Sequence, residues 1–359
     1  MTQSKMNAQV FYESNIMRKE NIDVPEINDN EILIKVKACG ICGSDIAYYY
    51  GRSPVETESG KGPIVLGHEL SGEVVEVGSR AKDLKLFKPG DRVIVNPAQQ
   101  CNACPSCSRG YMNLCEHPTV LGVSVNGGFA EYTKSNYTHL YKMPENLSFE
   151  EGAMVEPLAC ATYGVENLNM ELGDFVVVMG PGTLGLMMTQ LIKSKGAGKV
   201  ALVGIFDYGL EKGKELGVDY IINTFKKDSP YYVDNLKYKI AELTGGELAK
   251  RVIVPTSAKQ AMQQALEISG KKSTIVYFGL PGPNDLLEVP ALSTLTQDKT
   301  IRFSWLAPLT WPLAIKAIET CKVDVKKLIT HRFNLDNVEE GIIFMGSETE
   351  EKIKGMVII

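Results

Sequence analysis

The chain has 359 residues, of which 44% are hydrophobic and 23% charged, with a formal charge of −5. These values belong to a soluble globular protein and exclude a disordered chain, and the acidic balance argues against a general nucleic-acid-binding surface. At about 100–200 residues per domain, the length suggests two domains.

Residues 1–10 contain no apolar run of the secretory kind. The uncharged stretch Phe175–Ile192 has the length of a membrane span. It is broken by Gly180, Pro181, Gly182 and Gly185, so it reads as a strand, a tight turn and a helix start. The expectation is a cytoplasmic protein with no membrane or nucleic-acid partner.

The first third is β-rich. Ile32–Ala38, Leu70–Val77 and Asp91–Val95 read as short strands, the last preceded by the turn Lys88-Pro89-Gly90-Asp91. Such strands with Gly/Pro turns suggest a small barrel or folded sheet. From Gly173 the texture alternates: strands are expected at Phe175–Met179, Lys199–Val203, Val252–Val254 and Thr274–Phe278. Helices are expected at Leu186–Lys195, Leu210–Leu216 and Lys259–Ser269. Alternation of this kind implies a doubly wound parallel sheet, and an α/β class for the whole chain.

Four of the eight cysteines, Cys101, Cys104, Cys107 and Cys115, fall within fifteen residues. In a cytosolic chain such spacing favours a metal over disulfides. A closed four-thiolate site suits structural zinc, because it leaves no position for substrate. The spacing does not match the common ferredoxin runs. Cys39, Cys160 and Cys321 read as small packing side chains.

A second set of donors lies in Gly40-Ile41-Cys42-Gly43-Ser44-Asp45 and Gly67-His68-Glu69. Cys42, His68 and Glu69 offer sulfur, nitrogen and oxygen to one zinc, with a position left for water or substrate. A histidine beside a glutamate also serves purely structural roles. Glu156, in the apolar run Val155-Glu156-Pro157-Leu158, is a further carboxylate for the metal or for a domain junction.

Gly180-Pro181-Gly182-Thr183-Leu184-Gly185 fits G-x-G-x-x-G and stands between an expected strand and helix, the context of a dinucleotide loop. The glycines permit a tight turn and close approach of backbone to pyrophosphate at a helix N-terminus. At the end of the next strand, where an acid usually binds the adenosine ribose, stands Gly204. Asp207 follows three residues later, and no Arg or Lys lies between Ile205 and Glu211. NAD and NADP both stay open.

Together, GICGSD, GHE, the four-cysteine loop, VEPLA, GPGTLG and Leu328-Ile329-Thr330-His331-Arg332-Phe333 come in an order that resembles the zinc-dependent medium-chain alcohol and polyol dehydrogenases, near the sorbitol, threonine and butanediol members. The resemblance covers essentially the whole chain. It implies a GroES-like catalytic domain from residues 1–157 and 300–359, with a Rossmann domain of residues 158–299 inserted. It implies that Cys42, His68 and a carboxylate, Glu69 or Glu156, hold a catalytic zinc, and that Ser44 passes the substrate proton towards solvent. The implied reaction moves a hydride between a polyol or secondary alcohol and NAD or NADP, giving the ketone. The implied assembly is a homodimer or homotetramer.

Two positions depart from the family pattern. Ala47 stands where many relatives carry a relay histidine. Leu306 stands where sorbitol enzymes place an arginine near Thr310-Trp311-Pro312, which puts sorbitol itself in doubt. Tyr48 matches a substrate-pocket aromatic. The alternatives are a threonine or butanediol-type dehydrogenase and, in another class, a zinc-stabilised NAD(P)-binding protein without chemistry.

Overall fold

The computed structural model describes residues 4–53, 62–348 and 351–359. The chain divides into two compact units. The first comprises residues 1–157, 325–349 and 354–359, and the second residues 158–324 and 350–353.

The first unit is organised around one long strand, Glu31–Ile41, whose residues are buried along most of its length. Its β-branched run is suited to a pleated, packed surface. Glu69–Val77 pairs with it antiparallel on one edge. On the other edge, Tyr132–Asn136 covers its first half and Lys354–Ile358 its last. Register shifts at Leu33/Ile34 and Val36/Ala38 curl the sheet. Arg92–Val95 extends it beyond Glu69–Val77, and Ile329–Asn334 adds in parallel to Lys354–Ile358. A smaller sheet centres on Lys5–Glu13. Between the sheets lies a core containing Ile32, Ile34, Leu66, Leu70 and Phe129, all fully buried.

The second unit carries a six-stranded parallel sheet. Its order is Tyr220–Asn223, Lys199–Gly204, Phe175–Met179, Ala249–Val254, Ser269–Tyr277 and Thr300–Phe303. Phe175–Met179 comes first in the chain yet third in space, so strand order reverses beside it, which is where such sheets bind ligands. The helices Thr183–Ser194, Asp207–Glu215, Leu236–Leu243 and Lys259–Ile268 connect the strands. No helix among the described residues is long and apolar enough to cross a membrane.

Every expected strand and helix is present, displaced by a few residues at most. Among the elements that were not expected are the short strands Tyr220–Asn223 and Thr300–Phe303 and the helix Leu236–Leu243. The expected return to the first unit at residue 300 comes instead at Val325. Thr300–Phe303 is the sixth strand of the parallel sheet, and the Thr310 hydroxyl donates to the Ala159 carbonyl at 2.8 Å, so this stretch belongs to the second unit. Cys39 is buried as expected, but Cys321 is exposed in a left-handed turn (φ 54°) rather than packed.

His139 is buried at the end of a 3-10 turn. Its Nδ1 lies 2.9 Å from Thr138 Oγ1, and its Nε2 lies 2.8 Å from Gln100 Oε1. Burial pushes its pKa down to about 4. The unfolded chain therefore takes up the proton first. The stabilisation is complete above the unfolded value of about 6.5 and is lost as pH falls towards 4. In His139→Gln, the stability difference between pH 7.5 and pH 5 in urea unfolding should shrink by about 2 kcal/mol. An unchanged difference would show that His139 does not carry this acid sensitivity.

Candidate active site and metal centres

Cys42 sits where the long strand ends and the helix Gly43–Tyr49 begins, as that helix's N-cap residue. Its backbone N–H donates to Asp45 Oδ2 at 2.8 Å. Asp45 is 1% exposed, and its other oxygen accepts from the Gly67 N–H at 3.2 Å and faces His68 Nδ1 at 3.6 Å. One carboxylate thus ties the Cys42 turn to the Gly67-His68 turn. The arrangement matches the rule that a metal-binding histidine turns its other nitrogen to an acidic group. His68 Nε2 lies 3.4 Å from Ser44 Oγ on the opposite side.

Glu69 opens the strand Glu69–Val77 directly across from Gly40. A Cβ at Gly40 would lie 2.1 Å from Glu69 Oε2 and 3.0 Å from Lys354 Cε, so a side chain there would displace the carboxylate. Through that gap Lys354 Nζ forms an ion pair with Glu69 Oε2, and it donates to the Ile41 carbonyl at 2.9 Å. Burial opposes the charge on Lys354, but the Glu69 and Cys42 charges outweigh it and raise its pKa. For His68, too, burial opposes protonation, and the Asp45 and Cys42 charges outweigh it.

The ligand atoms of Cys42, His68 and Glu69 all lie within 4.8 Å of one another. Among the described residues, His68 Nδ1 and Glu69 Oε2 are buried side-chain atoms without a hydrogen-bond partner, although Glu69 Oε2 keeps its ion pair. A thiol, an imidazole and a carboxylate at this spacing fit zinc with an open position. Glu156 lies half-buried in the first turn of the helix Val155–Glu166, outside that group of three.

The four loop cysteines converge as well, with their sulfurs within 4.8 Å of one another. Cys101 and Cys115 are 3.5 Å apart, against about 3.8 Å for two thiolates on a tetrahedral zinc. Backbone N–H groups of Cys101, Cys104, Cys107 and Glu116 point at these sulfurs at 3.3–3.5 Å. The N–H groups of Glu116 and Cys107 lower the Cys104 pKa to about 6. None of the eight cysteines is in a disulfide. The loop is built for a metal.

In the second unit, Gly180 (φ 128°) turns the chain out of Phe175–Met179. A Cβ at Gly185 would lie 1.8 Å from the Gly180 carbonyl oxygen, so the helix packs against the turn only with glycine there. Gly182 is the N-cap residue and nothing lies within 4 Å of its missing Cβ, which leaves the backbone open to a ligand. This cradle fits a pyrophosphate. Thr183 donates its hydroxyl to the Ile353 carbonyl at 2.7 Å, and Leu184 is half-buried. Gly204 ends its strand and Asp207 opens the next helix.

Tyr48 is 6% exposed and packs in the core of the first unit. Leu306 lies in the second unit, in a left-handed conformation (φ 58°). Lys354 and Asp45 are site residues that the sequence reading did not single out; Asp45 stood inside the GICGSD motif, whereas Lys354 was a lone lysine opening an apolar strand with nothing local pointing to Glu69.

Residues 28–145 match the alcohol dehydrogenase GroES-like domain, and residues 183–320 the zinc-binding dehydrogenase domain. The chain is 33% identical to the sorbitol dehydrogenase of Ovis aries over 346 residues, covering 96% of this chain and 92% of that one. It superimposes on the (2R,3R)-butanediol dehydrogenase of Bacillus subtilis with a TM-score of 0.88 at 29% identity, over 99% of both chains. A zinc-binding dehydrogenase from Sinorhizobium meliloti 1021, solved with NADP, gives a TM-score of 0.88 at 26% identity, covering 99% of this chain and all of that one. With its donor sets, its glycine cradle and these relatives, the chain belongs to the zinc-dependent medium-chain alcohol and polyol dehydrogenases.

Proposed function

We propose that Cys42, His68 and Glu69 hold the catalytic zinc of an enzyme that oxidises a secondary alcohol or polyol to the ketone with NAD or NADP. The observation that carries this is the trio of sulfur, nitrogen and oxygen donors, with His68 and Glu69 buried and Cys42 half-buried, which no fourth His, Cys, Asp or Glu joins among the described residues. When bound, zinc would supply the Lewis acidity that makes a hydroxyl acidic, and a nicotinamide would supply the hydride acceptor. Asp45 orients the His68 ring and Lys354 holds Glu69 in place. Ser44, half-buried beside His68 Nε2, takes the hydroxyl proton and hands it to solvent. Because Ala47 has no titratable group, water continues the path beyond Ser44. Glu156 serves in this reading as a nearby carboxylate and not as the third ligand. Cys101, Cys104, Cys107 and Cys115 hold a structural zinc.

Leu306 supplies no guanidinium where the sorbitol enzymes carry one for a long polyol's hydroxyls. This favours a short diol or a simple secondary alcohol, as in the butanediol enzyme, over a hexitol. The working form is a homo-oligomer. Thr300–Phe303 is an unpaired sheet edge among the described residues, and beside it in sequence Leu292, Leu295, Phe303 and Leu309 are each at least 68% exposed. A free edge with large exposed apolar side chains invites pairing with a second copy. Eight cysteines without a disulfide suit a reducing, cytoplasmic setting.

Cys42→Ser should lower kcat by roughly three orders of magnitude, reduce bound zinc from two to one per chain, and leave NADH binding unchanged by fluorescence titration. Turnover close to wild type would sink this assignment. Cys107→Ser should lose the other zinc, expose the 101–115 loop to proteolysis and lower the thermal midpoint, while freshly purified enzyme keeps its kcat. Loss of kcat at an unchanged midpoint would place that metal in the chemistry instead. Phe303→Lys should shift the mass measured by light scattering towards the monomer; an unchanged mass would exclude this edge as the interface.

A further inference from the structure

Discrimination between NAD and NADP usually rests on the end of the second strand, where a carboxylate accepts from the ribose hydroxyls and repels a 2′-phosphate, or a cation attracts it. In this chain that position has been closed. A Cβ at Gly204 would lie 2.5 Å from Pro181 Cγ and 2.6 Å from its Cδ, and a Cβ at Gly209 would lie 3.0 Å from Pro181 Cβ. The Pro181 ring of the phosphate-binding loop is therefore clamped between two glycines and fills the place a side chain at 204 would take.

The next acid, Asp207, has one oxygen engaged elsewhere. Its Oδ1 accepts from Asn223 Nδ2 at 2.7 Å and from Ser229 Oγ at 2.8 Å. Asn223 is fully buried and its amide is fully used. Nδ2 also donates to the Ile205 carbonyl at 3.3 Å, and Oδ1 accepts from the Phe225 and Lys226 N–H groups, both at 2.9 Å. This network braces the loop after one strand against the loop after the next, and Asp207 is one of its struts. No cation lies between Ile205 and Glu211, and Lys212 is ion-paired with Glu215 at 2.7 Å.

We propose that the Pro181–Gly204 contact, with Asp207 held by Asn223 and Ser229, leaves the adenosine 2′ position unread, so that 2′-hydroxyl and 2′-phosphate cofactors bind with similar affinity. Specificity is a difference between two affinities and needs something built against the wrong partner. Here neither the repelling carboxylate nor the attracting cation stands at the strand end. The proposal rests on the reading of this loop as a nicotinamide-nucleotide site.

The test is calorimetric titration of the zinc-replete full chain with ADP-ribose and with its 2′-phosphate, which measures binding apart from turnover. The two dissociation constants should agree within about tenfold. Asp207→Asn should leave their ratio unchanged within about twofold. The paired variant Pro181→Ala/Gly204→Asp restores both the space and the acid, and should prefer ADP-ribose by more than about tenfold. A wild-type preference above tenfold in either direction overturns the proposal. So does a ratio that moves with Asp207→Asn, because Asp207 would then be reading the ribose. Failure of either ligand to bind the folded chain would remove the nucleotide reading itself, and the proposal with it.

Discussion

A buried carboxylate and a buried ammonium meet across a glycine, and the candidate site of the first unit depends on that meeting. Taking either charge out of water costs several kcal/mol, and each is tolerable only while the other is present. Gly40 makes the approach possible, since any side chain there would occupy the volume of Glu69 Oε2. The pair fixes Glu69 at the start of its strand, within reach of the Cys42 sulfur and the His68 ring. Glu69 is thereby shared between a lysine on one side and a cation site on the other. The lysine limits how strongly that carboxylate can donate to a metal, a lever of the kind by which outer partners tune metal centres.

Asp45 has the complementary role. It accepts from the N–H groups of two turns and stands behind the imidazole, so that one carboxylate braces both the sulfur and the nitrogen donor. Neither residue needs to touch a substrate. The donors come from a strand end, a turn and a strand start, all on elements whose cores are fully buried, and such rigid supports hold a site better than free loops do.

The most local features were the most legible in the sequence. The glycine loop announced itself because its spacing follows from backbone geometry at a strand–helix turn, and the cysteine loop because its four donors lie within fifteen residues. Cys42 and His68 were suggestive singly, but only their order among other motifs made them a pair. Lys354 was illegible, because its partner lies hundreds of residues away and its burial is set by tertiary structure. Thr300–Phe303 was missed as a strand because it is short and largely exposed, with no apolar alternation to mark it. The same omission moved the expected domain boundary from Val325 to residue 300. The closure of position 204 was hidden for another reason: a proline in one loop and a glycine in another have no visible relation until the sheet brings them together.

The position of Lys354 also bears on the order in which the protein assembles. Its contact with Ile41 spans 313 residues, and the strand that carries it inserts between Glu31–Ile41 and Ile329–Asn334. Loop closure over such a separation is entropically costly and comes after local structure has formed. The four cysteines of the 101–115 loop, by contrast, meet within fifteen residues. Glu69 gains its balancing charge only when the last strand pairs with Glu31–Ile41. Both donor sets are local in sequence, and only the lysine that balances Glu69 arrives from the far end of the chain.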